Sequence, residues 1–219
     1  MTTPESTRAW WQIHFCVILW GFTAILGKLI TLPAATLVWW RMVLVAGALL
    51  LARQFWVGLR GLGGRLIFVY AGIGALVALH WLTFYGSIKL ANASIAATCL
   101  ALCPVFMAFV EPWIARRPFD TRELIFGLAA IPGVALVVGG TPSGMRIGIA
   151  VGALSALLVA FFGSLNKLYI RKASALTVTG IELGAGALLL TVMMPLLLPG
   201  AERFAVPEGR DVVYLLLLA

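Results

Sequence analysis

The sequence predicts an all-α polytopic membrane protein, and three observations predict it. The chain is 62% hydrophobic and only 11% charged, where a soluble domain is about half apolar and about a quarter charged. Several apolar runs approach or exceed the ~18–20 residues that cross a ~30 Å hydrocarbon layer. None of them shows the ~10-residue alternation of polar and apolar positions that marks a membrane barrel strand. Mean hydropathy is +1.05.

Seven spans follow in order. The first, residues 10–31, stops at TLPAAT; the N-terminal MTTPESTRAWW has one Arg and lacks the basic start of a signal peptide, so this span is read as retained. The second, 34–57, starts after Pro33 and contains VWWRMVLVAGALLLAR, with Arg41 set among apolar residues. The third, 65–88, follows GLRGLGG and carries His80, Trp81, Phe84 and Tyr85. The fourth, 91–115, ends at RRPFDTRE, and the fifth, 121–140, ends at TPSG. The sixth is 145–170 and the seventh 176–198, before PGAERFAVPEGRD. Each connector holds the Pro, Gly and polar residues that interrupt helices. DVVYLLLLA then begins an eighth helix too short to span. About seven and a half helices are therefore present.

The net charge of +8 is read as topology, not nucleic-acid binding. With the N-terminus placed inside, ten basic residues fall on inner flanks: Arg8, Arg53, Arg60, Arg65, Arg116, Arg117, Arg122, Lys167, Arg171 and Lys172. Five (Lys28, Lys89, Arg146, Arg203 and Arg210) fall on outer ones. The positive-inside rule then gives a multi-pass inner (plasma) membrane protein with a cytoplasmic N-terminus. Cys16, Cys99 and Cys103 all lie in apolar segments and are read as packing residues, with no metal site, cofactor or disulfide framework implied. Gly72-Ile-Gly74 and GLRGLGG fall short of a phosphate-binding fingerprint, and no strand precedes them.

A shift of 139 residues lays FTAILGKL (22–29) on FFGSLNKL (161–168) and AGALLL (46–51) on AGALLL (185–190). Five helices separate the copies, an odd number, so the second copy enters from the opposite side. This is an inverted repeat of five-helix units, the architecture of many secondary transporters. The expected division is a first unit at 1–140 and the start of a second at 141–219. A second copy of equal length would extend beyond Ala219. The chain is then expected to be a fragment, or a partial copy completed by a homodimer mate or a second chain.

WGFTAILGKL with WWRMVLVAGALLL, then HWLTFYGSIKLANASIAATCLALCPVFMAFVEP and GLAAIPGVALVVGG, resembles the EamA-like domain of the drug/metabolite transporter superfamily. The resemblance covers roughly 13–140 and the opening of a second domain. It implies ten helices in two inverted halves, a central cavity, and export or exchange of small metabolites, often amino acids, across a bacterial inner membrane. Such proteins often carry a Gly-Glu pair after the fourth helix. Here the region reads ARRPFD, and the nearest acid is Glu111, so no role is carried over for that glutamate.

Ionisable groups inside a membrane are costly and usually face a cavity or a partner. Arg41 is expected to hold the acid group of an amino-acid-like substrate, with snorkelling to head groups as the alternative. His14, Gly21 and Lys28 recur every seven residues on one face of the first helix. Gly21 and Lys28 join His80, Trp81 and Tyr85 as substrate-binding candidates, with an interfacial belt the plainer reading for Tyr85 and Trp39. Glu182, His14 and His80 are proton-coupling candidates, and Glu182 is also a candidate partner for Arg41. Glu111 is read as solvated near the inner surface. Gly144, Gly148 and Gly152, and Gly180 with Gly184, are read as close-packing ladders. Pro104, Pro132 and Pro195 are candidate kinks. The function expected is secondary transport of a small-molecule substrate across a lipid bilayer by alternating access. A non-transporting scaffold and an intramembrane enzyme are the alternatives; no convergent catalytic set is present.

Overall fold

The computed structural model describes residues 4–219, with side chains from Thr7 onward. The described residues are helical, without strands. The helices are α1 (Pro4–Leu29), α2 (Ala34–Leu51), α3 (Arg53–Arg60), α4 (Gly64–Leu90), α5 (Ala93–Leu100) and α6 (Cys103–Ala115). They continue as α7 (Thr121–Leu128), α8 (Ile131–Gly139), α9 (Arg146–Tyr169), α10 (Ala175–Leu197) and α11 (Arg210–Leu218). Seven segments among the described residues are long and apolar enough to cross a membrane; α5 with α6, and α7 with α8, each make one. Short connectors make successive spans alternate in direction. The end where α1 begins is termed the N-terminal end below.

Three spans expected to be continuous are broken. The second ends at Ala52, whose extended backbone (φ −78°, ψ 121°) separates α2 from α3. Trp56 bridges the break by donating from Nε1 to the Leu50 carbonyl at 2.8 Å. The fourth breaks at Ala101–Leu102 and the fifth at Ala129–Ala130. Pro104 and Pro132 stand in the first turn of the helix that resumes, where a missing N–H costs nothing. The two breaks meet in space. A Cβ on Gly127 would lie 2.9 Å from the Val105 nitrogen and 3.0 Å from the Pro104 carbonyl carbon, so only glycine admits α6 this closely. Pro195 lies inside α10 without ending it.

The core forms where α4 meets α2, α9 and α10. Tyr70, Ile73, Tyr85 and Ile88 of α4, Leu37, Val38 and Met42 of α2, and Leu190 of α10 are all buried there. In the window of highest hydropathy, 44% of α10 residues are buried inside the protein, against 6% for α1 and 11% for α7–α8. The last two present Ile, Leu, Phe, Val and Trp outward, as lipid-facing helices do, because lipid is as apolar as their side chains.

Glycines set the closest crossings, though not all of the expected ones. Gly148 packs on Ala91 and Gly152 on Cys99 and Ser87, whereas Gly144 faces open space. Gly180 accepts the Phe55 ring of α3, whereas Gly184 also faces open space. The true partner on α10 is Gly186, where a Cβ would lie 2.9 Å from the Met42 sulfur and 3.0 Å from the Gly74 carbonyl. Gly74 in turn lies against the Glu182 backbone with no room for a Cβ.

At the far end, the segment after α10 folds over the start of α2. Thr36 donates to the Glu202 carbonyl at 2.8 Å and Trp40 to the Ala205 carbonyl at 2.9 Å. Asp211, at the start of α11, accepts from the Thr31 N–H at 3.0 Å and from its hydroxyl at 2.6 Å. This holds α11 against the α1–α2 connector.

Candidate functional site

Arg41 lies seven residues into α2, about 10 Å along the helix from its start. Trp81 and Tyr85 are four apart on α4, so both face α2 from one side. Arg41 Nη1 donates to the Tyr85 hydroxyl at 2.9 Å. The guanidinium carbon sits 3.9 Å from the Trp81 ring centroid, a cation–π contact. The side chain is therefore held against α4 by Tyr85 and Trp81. Its Nε is buried and has no acceptor among the described residues. An unsatisfied buried donor costs on the order of 1–3 kcal/mol. The remaining edge of the fork is the kind of geometry that grips a carboxylate by two parallel hydrogen bonds.

Tyr85 is fully buried and occupied by Arg41, so the belt reading does not hold for it. Its ring also fills the space beside Gly27 of α1, where a Cβ would strike it. Gly27 is thus the residue that lets α1 approach the site. No polar pattern marked it in the sequence, because its role is absence of bulk.

Glu182 lies seven residues into α10, a helix that runs opposite to α2 and packs against it. It is only 7% exposed. Asn166 donates to its Oε2 over a long 3.4 Å, and its Oε1 is buried without a donor. No described Lys, Arg or His, Arg41 included, is within ion-pair distance of it. Arg41 and Glu182 are thus the two residues with a buried, partnerless side-chain atom among the described residues, one cationic and one anionic. Counted from its helix start, each lies equally deep, from opposite ends of the protein.

His80 is satisfied internally. Its Nδ1 lies 2.8 Å from the Ser155 hydroxyl and 3.1 Å from the Ser155 carbonyl, and Phe84 and Phe162 flank its ring. The α1 candidates separate from it. His14 is exposed and bonds the Trp10 carbonyl of its own helix at 2.9 Å, and Gly21 has nothing beside it. Lys28 lines a different feature, a cleft of about 440 Å³ at the far end, with Asn92, Ser94, Thr141 and Met145 among its walls. Trp39 donates to the Thr191 hydroxyl at 2.8 Å and meets the Trp40 and Phe204 rings edge-to-face.

Glu111 is not solvated, contrary to expectation. It is 8% exposed, and its Oε1 meets Lys167 Nζ of α9 at 2.6 Å and Arg117 Nε at 3.3 Å. Arg117 reaches on to Glu123 of α7 at 2.5 Å; that carboxylate, accepting its hydrogen bond, makes the guanidinium still harder to deprotonate. Arg116 turns the chain in left-handed geometry (φ 52°) to place Arg117 there. A four-residue turn-and-pair arrangement of this kind could not be read from a sequence in which Lys167 is 56 positions away.

The sequence profile of the EamA-like transporter family matches residues 10–139. A solved crystal structure of a protein superposes with a TM-score of 0.63 at 18% identity, covering 94% of this chain and 71% of that one; at that identity the likeness speaks for the fold. No curated protein shows significant similarity to the chain. The match over more than half of the chain, on an all-helical frame with seven membrane-capable segments, makes this chain a member of the EamA-like transporter family, a multi-pass membrane protein of the drug/metabolite transporter type.

Proposed function

We propose that the protein is a secondary transporter that moves a small, amino-acid-like metabolite by alternating access, with Arg41 holding the acid group. One observation carries the reading. Arg41 is positioned by Tyr85 and Trp81 yet keeps a buried donor open, while Glu182 keeps a buried acceptor open on the adjoining helix. A charge inside a membrane is retained where it has work to do. Glu182 then serves as the coupling-proton site or as the partner of the substrate's amino group. His80, held by Ser155, supports the wall beside Trp81. The matching of α1–α2 to α9–α10 in reversed direction supports an inverted repeat, and the basic flanks support a cytoplasmic N-terminal end.

The test is uptake of a radiolabelled L-amino-acid mixture into liposomes containing the purified protein. Arg41→Gln is expected to fold and to lose transport by about tenfold or more, a change of about 1.4 kcal/mol in binding. Glu182→Gln is expected to abolish the response to an imposed pH gradient. Full transport by both variants would remove these residues from the site. Wild-type transport unaffected by collapsing the pH gradient would remove proton coupling.

A further inference from the structure

The two lysines that the repeat equates, Lys28 and Lys167, stand at opposite ends of the same pair of spans. Lys167 meets the N-terminal end of the α5–α6 and α7–α8 pair, where Glu111, Arg117 and Glu123 gather. Lys28 meets the far end of that pair, beside Asn92, Ser94 and Thr141. The chemistry at the two ends is opposite. At the N-terminal end a nearly buried carboxylate ties α9 to α6, and through Arg117 to α7. At the far end no described carboxylate lies within ion-pair distance of Lys28, and the space beside it is an open cleft of about 440 Å³. The α5–α8 pair is bolted to α9 by charge at the N-terminal end, whereas at the far end it borders, with Lys28 of α1, an open cleft.

We propose that Glu111 and Lys167 form a gate at the N-terminal end, which must part each time that end opens. This rests on the transport reading above. Lys167 is the flexible half, its side chain 69% exposed, and Glu111 the fixed half, its side chain 11% exposed. Breaking the pair releases a mobile cation to water while Arg117 remains to hold the acid. That asymmetry suits a contact that has to break and re-form, because the buried charge is never left alone. Ser164, one turn deeper than Lys167 on α9 and 2% exposed, lies behind the gate on the same helix face.

The test uses Ser164→Cys, a near-isosteric reporter, in the full chain in native membranes opened to both sides. A membrane-impermeant maleimide is added, and the extra label is counted by mass over that taken by the native cysteines. With Glu111 and Lys167 intact, labelling is expected to be slow. Glu111→Gln or Lys167→Gln is expected to accelerate it about tenfold, the size of a modest shift between two conformers. An unchanged rate in Lys167→Gln overturns the gate and leaves a passive surface pair. Should Glu111→Gln fail to fold, Lys167→Gln decides alone, since its side chain is mostly in water. The labelling needs no substrate, so loss of the gate and loss of the transport reading are separately visible.

Discussion

Arg41 and Tyr85 show how much of a site a single hydrogen bond can organise. The phenol takes one N–H of the fork and Trp81 takes its face, so the guanidinium is held in one orientation. Measured side-chain hydrogen bonds between membrane helices average about 0.6 kcal/mol with a maximum near 1.7, and this one has a charged donor. Tyr85→Phe is therefore expected to lower stability by about 1 kcal/mol and to weaken substrate binding more than it slows turnover. Equilibrium unfolding in mixed detergent checks the first; an unmoved midpoint would mean the bond does not hold Arg41. Arg41 and Glu182 were legible because a charge in an apolar run stands out by composition alone. Gly27, Gly74 and Asp211 were not. Two of them act by lacking a side chain. Asp211 acts on Thr31, 180 positions away, and nothing local records that pairing.

Among elements, the broken spans are the informative ones. The proline breaks of the fourth and fifth spans are adjacent because Gly127 seats the end of α7 on the first turn of α6. Gly127→Val is expected to force backbone apart and cost about 1–3 kcal/mol. Gly133→Val, on α8 with open space around it, is the matched control and is expected to leave the midpoint of thermal unfolding within the scatter of the wild type. Equal effects at the two positions would place the contact elsewhere. Arg116 gives a prediction of opposite sign. A left-handed non-glycine residue costs roughly 1–2 kcal/mol, and part of that is returned as unfolded-chain entropy when glycine replaces it. Arg116→Gly is expected to raise stability by roughly 0.5–1 kcal/mol in the same unfolding assay, with Arg117 still bridging Glu111 and Glu123. Pro104 and Pro132 were visible as kinks. Their meeting was not, because register between two spans depends on which glycine faces which turn.

For the whole molecule, the charge on the connectors sets orientation. Ten basic residues on the flanks of the N-terminal end against five on the other predict that Arg60→Cys is labelled by an impermeant maleimide only after cells are permeabilised. Gly140→Cys, at the far end, is expected to be labelled in intact cells. The reverse pattern would invert the protein in the membrane and move the Glu111–Lys167 contact to the outside.

The sequence by itself determined the class of molecule, the number of membrane-capable segments, their limits to within a few residues except at the end of the second, and which charges had to be explained. Those follow from local quantities: the length of an apolar run against the thickness of a bilayer, and the prolines and glycines that end a helix. Only the tertiary structure decided that Arg41 is held against α4 by Tyr85, that Glu182 is left half-bonded, and that Glu111 is locked while Lys28 stands open. In lipid an apolar surface attracts no particular neighbour, so helices choose partners by close fit and by the few polar groups that find each other. Those choices pair residues far apart along the chain, and no local pattern carries them.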